Sequence, residues 1–209
     1  MIAHDISINA ADCKLYPGDP QTKILSLQSI EKGDSCNLSA VNMCLHAGTH
    51  IDAPLHFIKN GKGIIDIGLA PFIGECTVIS VKENITGKFI EEHITPRMDR
   101  VLFRTEGEFY LDRTGAYALV DTKIQLVGID AMSIAADFDE AVTHIKLLQN
   151  EIYILEGLNL KGIRDGNYML FAPPINIGNT EAAPCRALLI EKESGIEPLP
   201  VFNKRRLSV

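Results

Sequence analysis

Three of the chain's six histidines fall between residues 46 and 56, in the run His46-Ala-Gly-Thr-His50-Ile-Asp52-Ala-Pro-Leu-His56. Gly48 and Pro54 exclude a long regular helix here, since glycine loosens the backbone and proline lacks the donor a helix interior needs. Leu38 to Leu45 reads as a β-strand leading into the run, so residues 46–56 are expected to form a tight loop at a strand end. Loops on rigid scaffolds commonly carry function. His46 and His50 offer imidazole nitrogens and Asp52 a carboxylate, a donor set suited to zinc, manganese or iron(II). The loop contains no cysteine, which favours an open catalytic site over a closed structural zinc. Asp52 has two oxygens and can bridge a second metal roughly 3.5 to 4 Å from the first. Packing alone accounts poorly for three imidazoles and a carboxylate placed this close together.

A second metal needs further ligands, and His144 and Glu156 are the candidates. Spacing alone does not pair either with the loop. Glu156 ends the apolar run Ile152 to Leu155, where it is either a buried carboxylate with a compensating charge or a surface-facing strand residue. His144 taken alone reads as a polar residue on a helix face. That helix is expected over Phe138 to Asn150, where Ala141, Ile145 and Leu148 recur at helical spacing behind Asp137, Asp139 and Glu140, which suit a helix N-terminus. Shorter helices are read over segments containing Gly63 to Leu69 and Lys88 to Ile94. Apolar, β-branched runs at Thr22–Ile30, Leu38–Leu45, Cys76–Val81, Val101–Arg104, Ile124–Ile129, Ile152–Leu155, Tyr168–Phe171 and Ala187–Ile190 read as strands. The sum is a mixed α/β chain with more strand than helix.

The 209 residues fit one domain spanning 1–209, and 46% hydrophobic with 22% charged residues is ordinary for a globular core. Twenty basic against twenty-seven acidic residues give a net charge of -7, which disfavours nucleic acid as a partner. The first residues carry no basic leader or apolar targeting segment, so a cytoplasmic setting is expected. The longest apolar stretch, Ile64 to Ile73, is interrupted by Asp66 and is about half the length that crosses a bilayer. The five cysteines are unpaired in spacing and expected to be reduced and mostly buried. No Gly-x-Ser-x-Gly elbow or phosphate-binding glycine loop occurs. Lys204-Arg205-Arg206 reads as a solvated tail or a surface contact in a dimer.

The run His46-x-Gly48-Thr49-His50-x-Asp52-x-Pro54-x-His56 meets in full the signature of the cyclase family of metal-dependent hydrolases, which includes bacterial kynurenine formamidases and isatin hydrolases. The resemblance also covers Tyr16-Pro-Gly-Asp19, the helix with His144 and Leu148, Glu156, and Ala183-Pro-Cys-Arg-Ala187. It implies a swivelling β/β/α fold with a mixed, partly barrel-like sheet and outer helices, and a homodimer. It further implies that His46, His50, Asp52, His144 and Glu156 hold two divalent metals, zinc or manganese, with Asp52 bridging, and that His56 moves protons. The reaction that the resemblance implies is hydrolysis of an amide C–N bond in a small, aromatic substrate, by water whose pKa bound metal lowers from 15.7 toward about 7.

The chain departs from the formamidases at one informative place. They carry a tryptophan just before Pro-Gly-Asp, packed on the aromatic substrate, and this chain has no tryptophan at all, only Tyr16. Tyr16 is either a substrate-contacting ring or a turn residue. N-Formylkynurenine is therefore one candidate beside a cyclic amide such as isatin, a cyclase-type dehydration, or a noncatalytic role in binding a metal or small ligand with the same fold. Phe57, which follows the last signature histidine, reads as a core position ahead of the alternative that it lines the same pocket.

Overall fold

The computed structural model describes residues 2–191, so the basic run at 204–206 and the ends of the 1–209 domain lie outside the described residues. Among these residues lie eleven strands and three α-helices: β1 (Ile2–Asp5), β2 (Lys23–Gln28), β3 (Leu38–Asn42), β4 (His50–Asp52), β5 (Ile73–Ser80), α1 (Gly87–His93), β6 (Arg100–Arg104), α2 (Arg113–Val120), β7 (Leu126–Ile129), α3 (Glu140–Gln149), β8 (Tyr153–Glu156), β9 (Gly166–Phe171), β10 (Ala182–Pro184) and β11 (Leu188–Glu191). Nine strands form one mixed sheet in the order β1-β11-β9-β5-β6-β7-β8-β4-β10. The four central strands β5 to β8 run parallel, each joined to the next by a helix, and antiparallel strands flank them.

The central strands read as continuous apolar runs because both of their faces are covered. Val101, Phe103, Val127, Ile129 and Ile154 point to the side packed by Phe89, Ile90, Leu119 and Leu147 of the helices. Their neighbours Leu102, Leu126 and Leu155 point to the other side. There they share one cluster with Ile51, Ala183 and Leu189, residues from strands near opposite ends of the sheet. Strands so far apart in the sheet meet only if it curls, which gives the expected partly barrel-like form with outer helices.

Several sequence expectations need correction. The expected loop at 46–56 contains a strand, because β4 is held on both sides: His50 and Asp52 pair with Glu156 and Ile154 of β8, and Asp52 with Ala182 of β10. The helix at 138–150 begins only at Glu140, and its buried face is Thr143, His144, Leu147 and Leu148. The stripe read through Ala141 and Ile145 is displaced because Ala141 faces solvent. The helix read near Gly63 to Leu69 is a single 3-10 turn, Ile64–Asp66. Helix α2 is invisible to propensity, with a glycine and a threonine inside it; Asp112 caps it by accepting from Gly115 N at 2.8 Å. A Cβ at Gly115 would lie 2.3 Å from Ile85 O, so close packing demands the glycine. Among the described residues β2 and β3 pair only with each other, and they expose Ile24, Leu27 and Val41. Among the cysteines only Cys76 is fully buried, Cys36 is exposed, and all five are free.

Candidate functional site

Strand β4 carries His50 and Asp52 on one face, two residues apart, with Ile51 turned into the opposite core. The pairing sets His50 directly across from Glu156, the last residue of β8. Helix α3 then brings His144 over this end of the sheet. The loop before β4 approaches closely enough to complete the group because two glycines meet beneath it. A Cβ on Gly157 would lie 2.2 Å from Gly48 O, and a Cβ on Gly48 2.8 Å from Ile8 O; both residues have φ near +60 to +70°, at +64° and +72°. Thr49 locks the junction, accepting from Ile8 N at 2.7 Å and donating to Gly157 O.

The result is two three-residue groups, each able to hold a cation: His46, His50 and Asp52, and Asp52, His144 and Glu156. Asp52 belongs to both and divides its oxygens between them. Oδ1 lies 3.2 Å from His46 Nδ1 and 3.4 Å from His50 Nε2, and Oδ2 lies 3.6 Å from His144 Nε2. Glu156 lies 3.2 Å from His144 Nε2 through Oε1 and 3.4 Å from His50 Nε2 through Oε2. Backbone groups hold the outer edges: His50 Nδ1 is 3.0 Å from Gly48 O, His144 Nδ1 is 2.8 Å from Glu140 O, and Ile134 N donates to Glu156 Oε1 at 2.7 Å.

Both carboxylates are buried, Asp52 at 0% and Glu156 at 4% exposure. Burial alone would raise their pKa values, but the facing imidazoles outweigh it and hold Asp52 well below, and Glu156 below, the usual carboxylate range. Burial likewise opposes charge on the histidines, yet the two carboxylates drive His50 well above its usual value and His144 up to about 10. The carboxylates and the facing imidazoles thus favour each other's charged forms. Even so, His50 Nε2 and both oxygens of Asp52 are buried without a hydrogen-bond partner. Buried nitrogen and oxygen atoms left without partners, within groups whose donor atoms lie close together, fit a divalent metal.

The seven residues singled out from the sequence meet at this place. Asp52 lies beneath a cavity of about 400 Å³ whose wall includes Tyr16, His46, His50, His56, His144 and Glu156. His56, on the 3-10 turn Pro54–His56, stacks 4.3 Å from the His46 ring and belongs to neither ligand group. Burial pushes its pKa down, against the pull of Asp52. Tyr16 reaches the cavity from the segment before β2 and donates its hydroxyl to Glu140 Oε2 at 3.2 Å. Phe57 takes the second of its two expected places, half-buried in the cavity wall and not in the core, its ring 4.6 Å from that of His144. Tyr110, Met132 and Ser133 also line the cavity, and the sequence carries no signal for them.

The cyclase family profile matches residues 3–136 of the chain. The chain belongs to the cyclase family. Within it, kynurenine formamidase of Bacillus anthracis is 32% identical over 191 residues, covering 85% of this chain and 91% of the relative. A solved family structure, described as a potential metal-dependent hydrolase with cyclase activity, is 30% identical with a TM-score of 0.76, covering 92% of this chain and 98% of that one. Isatin hydrolase A from Labrenzia aggregata, bound to benzyl benzoate, superposes with a TM-score of 0.78 over 91% of this chain and 94% of that one. At 20% identity that likeness speaks for the cyclase fold. Among the described residues no helix is long and apolar enough to cross a membrane.

Proposed function

We propose that this cyclase-family protein is a metal-dependent hydrolase that cleaves an amide C–N bond in a small aromatic substrate, with N-formylkynurenine the first candidate. The observation that carries the reading is the pair of ligand groups sharing Asp52 at the base of a cavity. The formamidase relative supports the reaction class. His46, His50 and Asp52 would hold one divalent ion, zinc or manganese, and Asp52, His144 and Glu156 would hold a second. Bound there, the metals supply water activation near neutral pH and polarisation of the substrate carbonyl.

His56 takes a proton from the attacking water and returns it to the departing nitrogen. Its place beside the His46 ring, outside both ligand groups, suits that role. Tyr16 and Phe57, both in the cavity wall, contact the substrate ring. Tyr16 is held in place by Glu140 rather than left free to rotate. A homodimer accords with the β2–β3 hairpin, whose exposed Ile24, Leu27 and Val41 are poorly placed in water, since an isolated two-stranded hairpin is marginal on its own.

The test is the zinc- and manganese-reconstituted protein assayed in parallel on N-formylkynurenine, an N-formyl aniline and isatin. Metal-dependent release of formate from the first two supports the reading. Turnover of isatin alone replaces it with cyclic-amide hydrolysis. Metal bound with no turnover of any of the three refutes it.

A further inference from the structure

The histidines beside Asp52 each turn one ring nitrogen toward the carboxylates and one away, and the outward nitrogen is held differently in one of them. In His50 and His144 the outward nitrogen is Nδ1, fixed by the carbonyls of Gly48 and Glu140 at 3.0 and 2.8 Å. Both therefore present Nε2 to the cluster. His46 is reversed, with Nδ1 facing Asp52 Oδ1 at 3.2 Å and Nε2 turned outward. Among the described residues no carbonyl hydrogen-bonds the His46 ring. What faces Nε2 instead is the carboxylate of Glu181, with Oε1 at 3.8 Å.

Glu181 is delivered there by a firmly held backbone. It directly precedes β10, its carbonyl accepts from Ala53 N at 2.8 Å, and Ile64 N donates to Thr180 O at 2.9 Å. Thr180 Oγ1 donates to Ala182 O at 2.8 Å. The main chain around Glu181 is thus tied to both ends of the segment that carries His56. The Glu181 side chain is 42% exposed, and its carboxylate lies within ion-pair distance of His46 Nε2.

We propose that Glu181 is the positioning residue for His46. It accepts the Nε2 proton, so fixing the tautomer whose Nδ1 lone pair faces Asp52, and it makes the imidazole a stronger donor to a divalent ion. This role rests on the metal-binding reading above. Glu181 touches neither substrate nor metal, so its effect passes through His46.

Zinc affinity of the full chain, measured by competition with a chromophoric chelator, tests the proposal. Glu181→Ala is expected to weaken zinc binding about 10- to 100-fold. Glu181→Gln, which keeps an accepting oxygen, recovers most of the loss. In a His46→Ala background the same Glu181→Ala change is expected to shift affinity by less than about twofold, because the partner is gone. Thermal unfolding of the metal-free variants should match the parent, which separates positioning from misfolding. Parent-like zinc affinity in Glu181→Ala overturns the proposal, as does a full loss that persists in the His46→Ala background. If the unaltered protein takes up no zinc, the metal reading itself fails and the role of Glu181 with it; if that protein binds and Glu181→Ala matches it, only the role of Glu181 fails.

Discussion

Replacing Gly157 by alanine perturbs a close backbone approach between the loop before β4 and the residue that follows β8. The residue has φ +64°, and a Cβ there would lie 2.2 Å from Gly48 O and 2.8 Å from Gly48 C. The left-handed conformation costs a non-glycine residue about 1–2 kcal/mol. The clash adds about 1–3 kcal/mol, since the obstruction is main chain and cannot rotate away. The loop must therefore lift from β8, and Gly157→Ala is expected to destabilise the protein by about 2–5 kcal/mol, with zinc affinity falling as His46 and His50 move from Glu156. Gly162→Ala is the control, because Gly162 shares the left-handed geometry at φ +80° but has nothing within 4 Å of a Cβ. It should lose only the conformational part, about 1–2 kcal/mol, and keep zinc affinity. Urea denaturation of both variants, with and without zinc, gives the comparison. Equal destabilisation of the two, with zinc affinity unchanged in both, would refute the argument that the glycine pair sets the loop's approach.

Three further outcomes follow from the site. In the metal-free protein His144 has its pKa raised to about 10, so its stabilising charge is fully present below its ordinary value of about 6.5 and is lost as pH rises through 10. Metal-free protein should lose Tm between pH 7 and 10 while zinc-loaded protein, whose ligands carry metal instead of protons, should not; parallel decline in both contradicts a ligand role for His144. His56→Ala should retain its metal and lose about 10²- to 10⁴-fold in kcat on the best substrate; loss of metal with full activity per bound metal would reverse the assignment. Burial pushes the Cys76 thiol up to about 12, so mass spectrometry after iodoacetamide treatment of the native protein at pH 8 should find exposed Cys36 labelled and Cys76 untouched.

The legible and illegible parts of this chain divide along a physical line. The ligands between His46 and Asp52 could be read because they are concentrated in one short run of unusual composition. His144 and Glu156 could not be joined to them by spacing, since their meeting depends on the register of β4 against β8; the family resemblance supplied the pairing. The central strands were visible as apolar runs because they are buried on both faces. β4 and β10 were not, being three residues each and made by pairing rather than by propensity. The run Thr22–Ile30 reads as a strand and contains β2, but nothing in it tells that Ile24 and Leu25 lie exposed in the hairpin. Phe57 shows the same limit at the site, because nothing local to Leu55-His56-Phe57 says on which side of the turn the ring falls.

The junction sealed by Thr49 also bears on how the protein matures. Thr49 and Gly157 are 108 residues apart in sequence. During synthesis the chain exposes His46, His50 and Asp52 long before β8 exists to pair with β4. Closing so long a loop is entropically unfavourable until the intervening sheet has formed, and contacts of such sequence separation are made late. The full ligand set is therefore a product of finished folding rather than a nucleus for it. Any metal captured earlier would be held by the first three ligands alone.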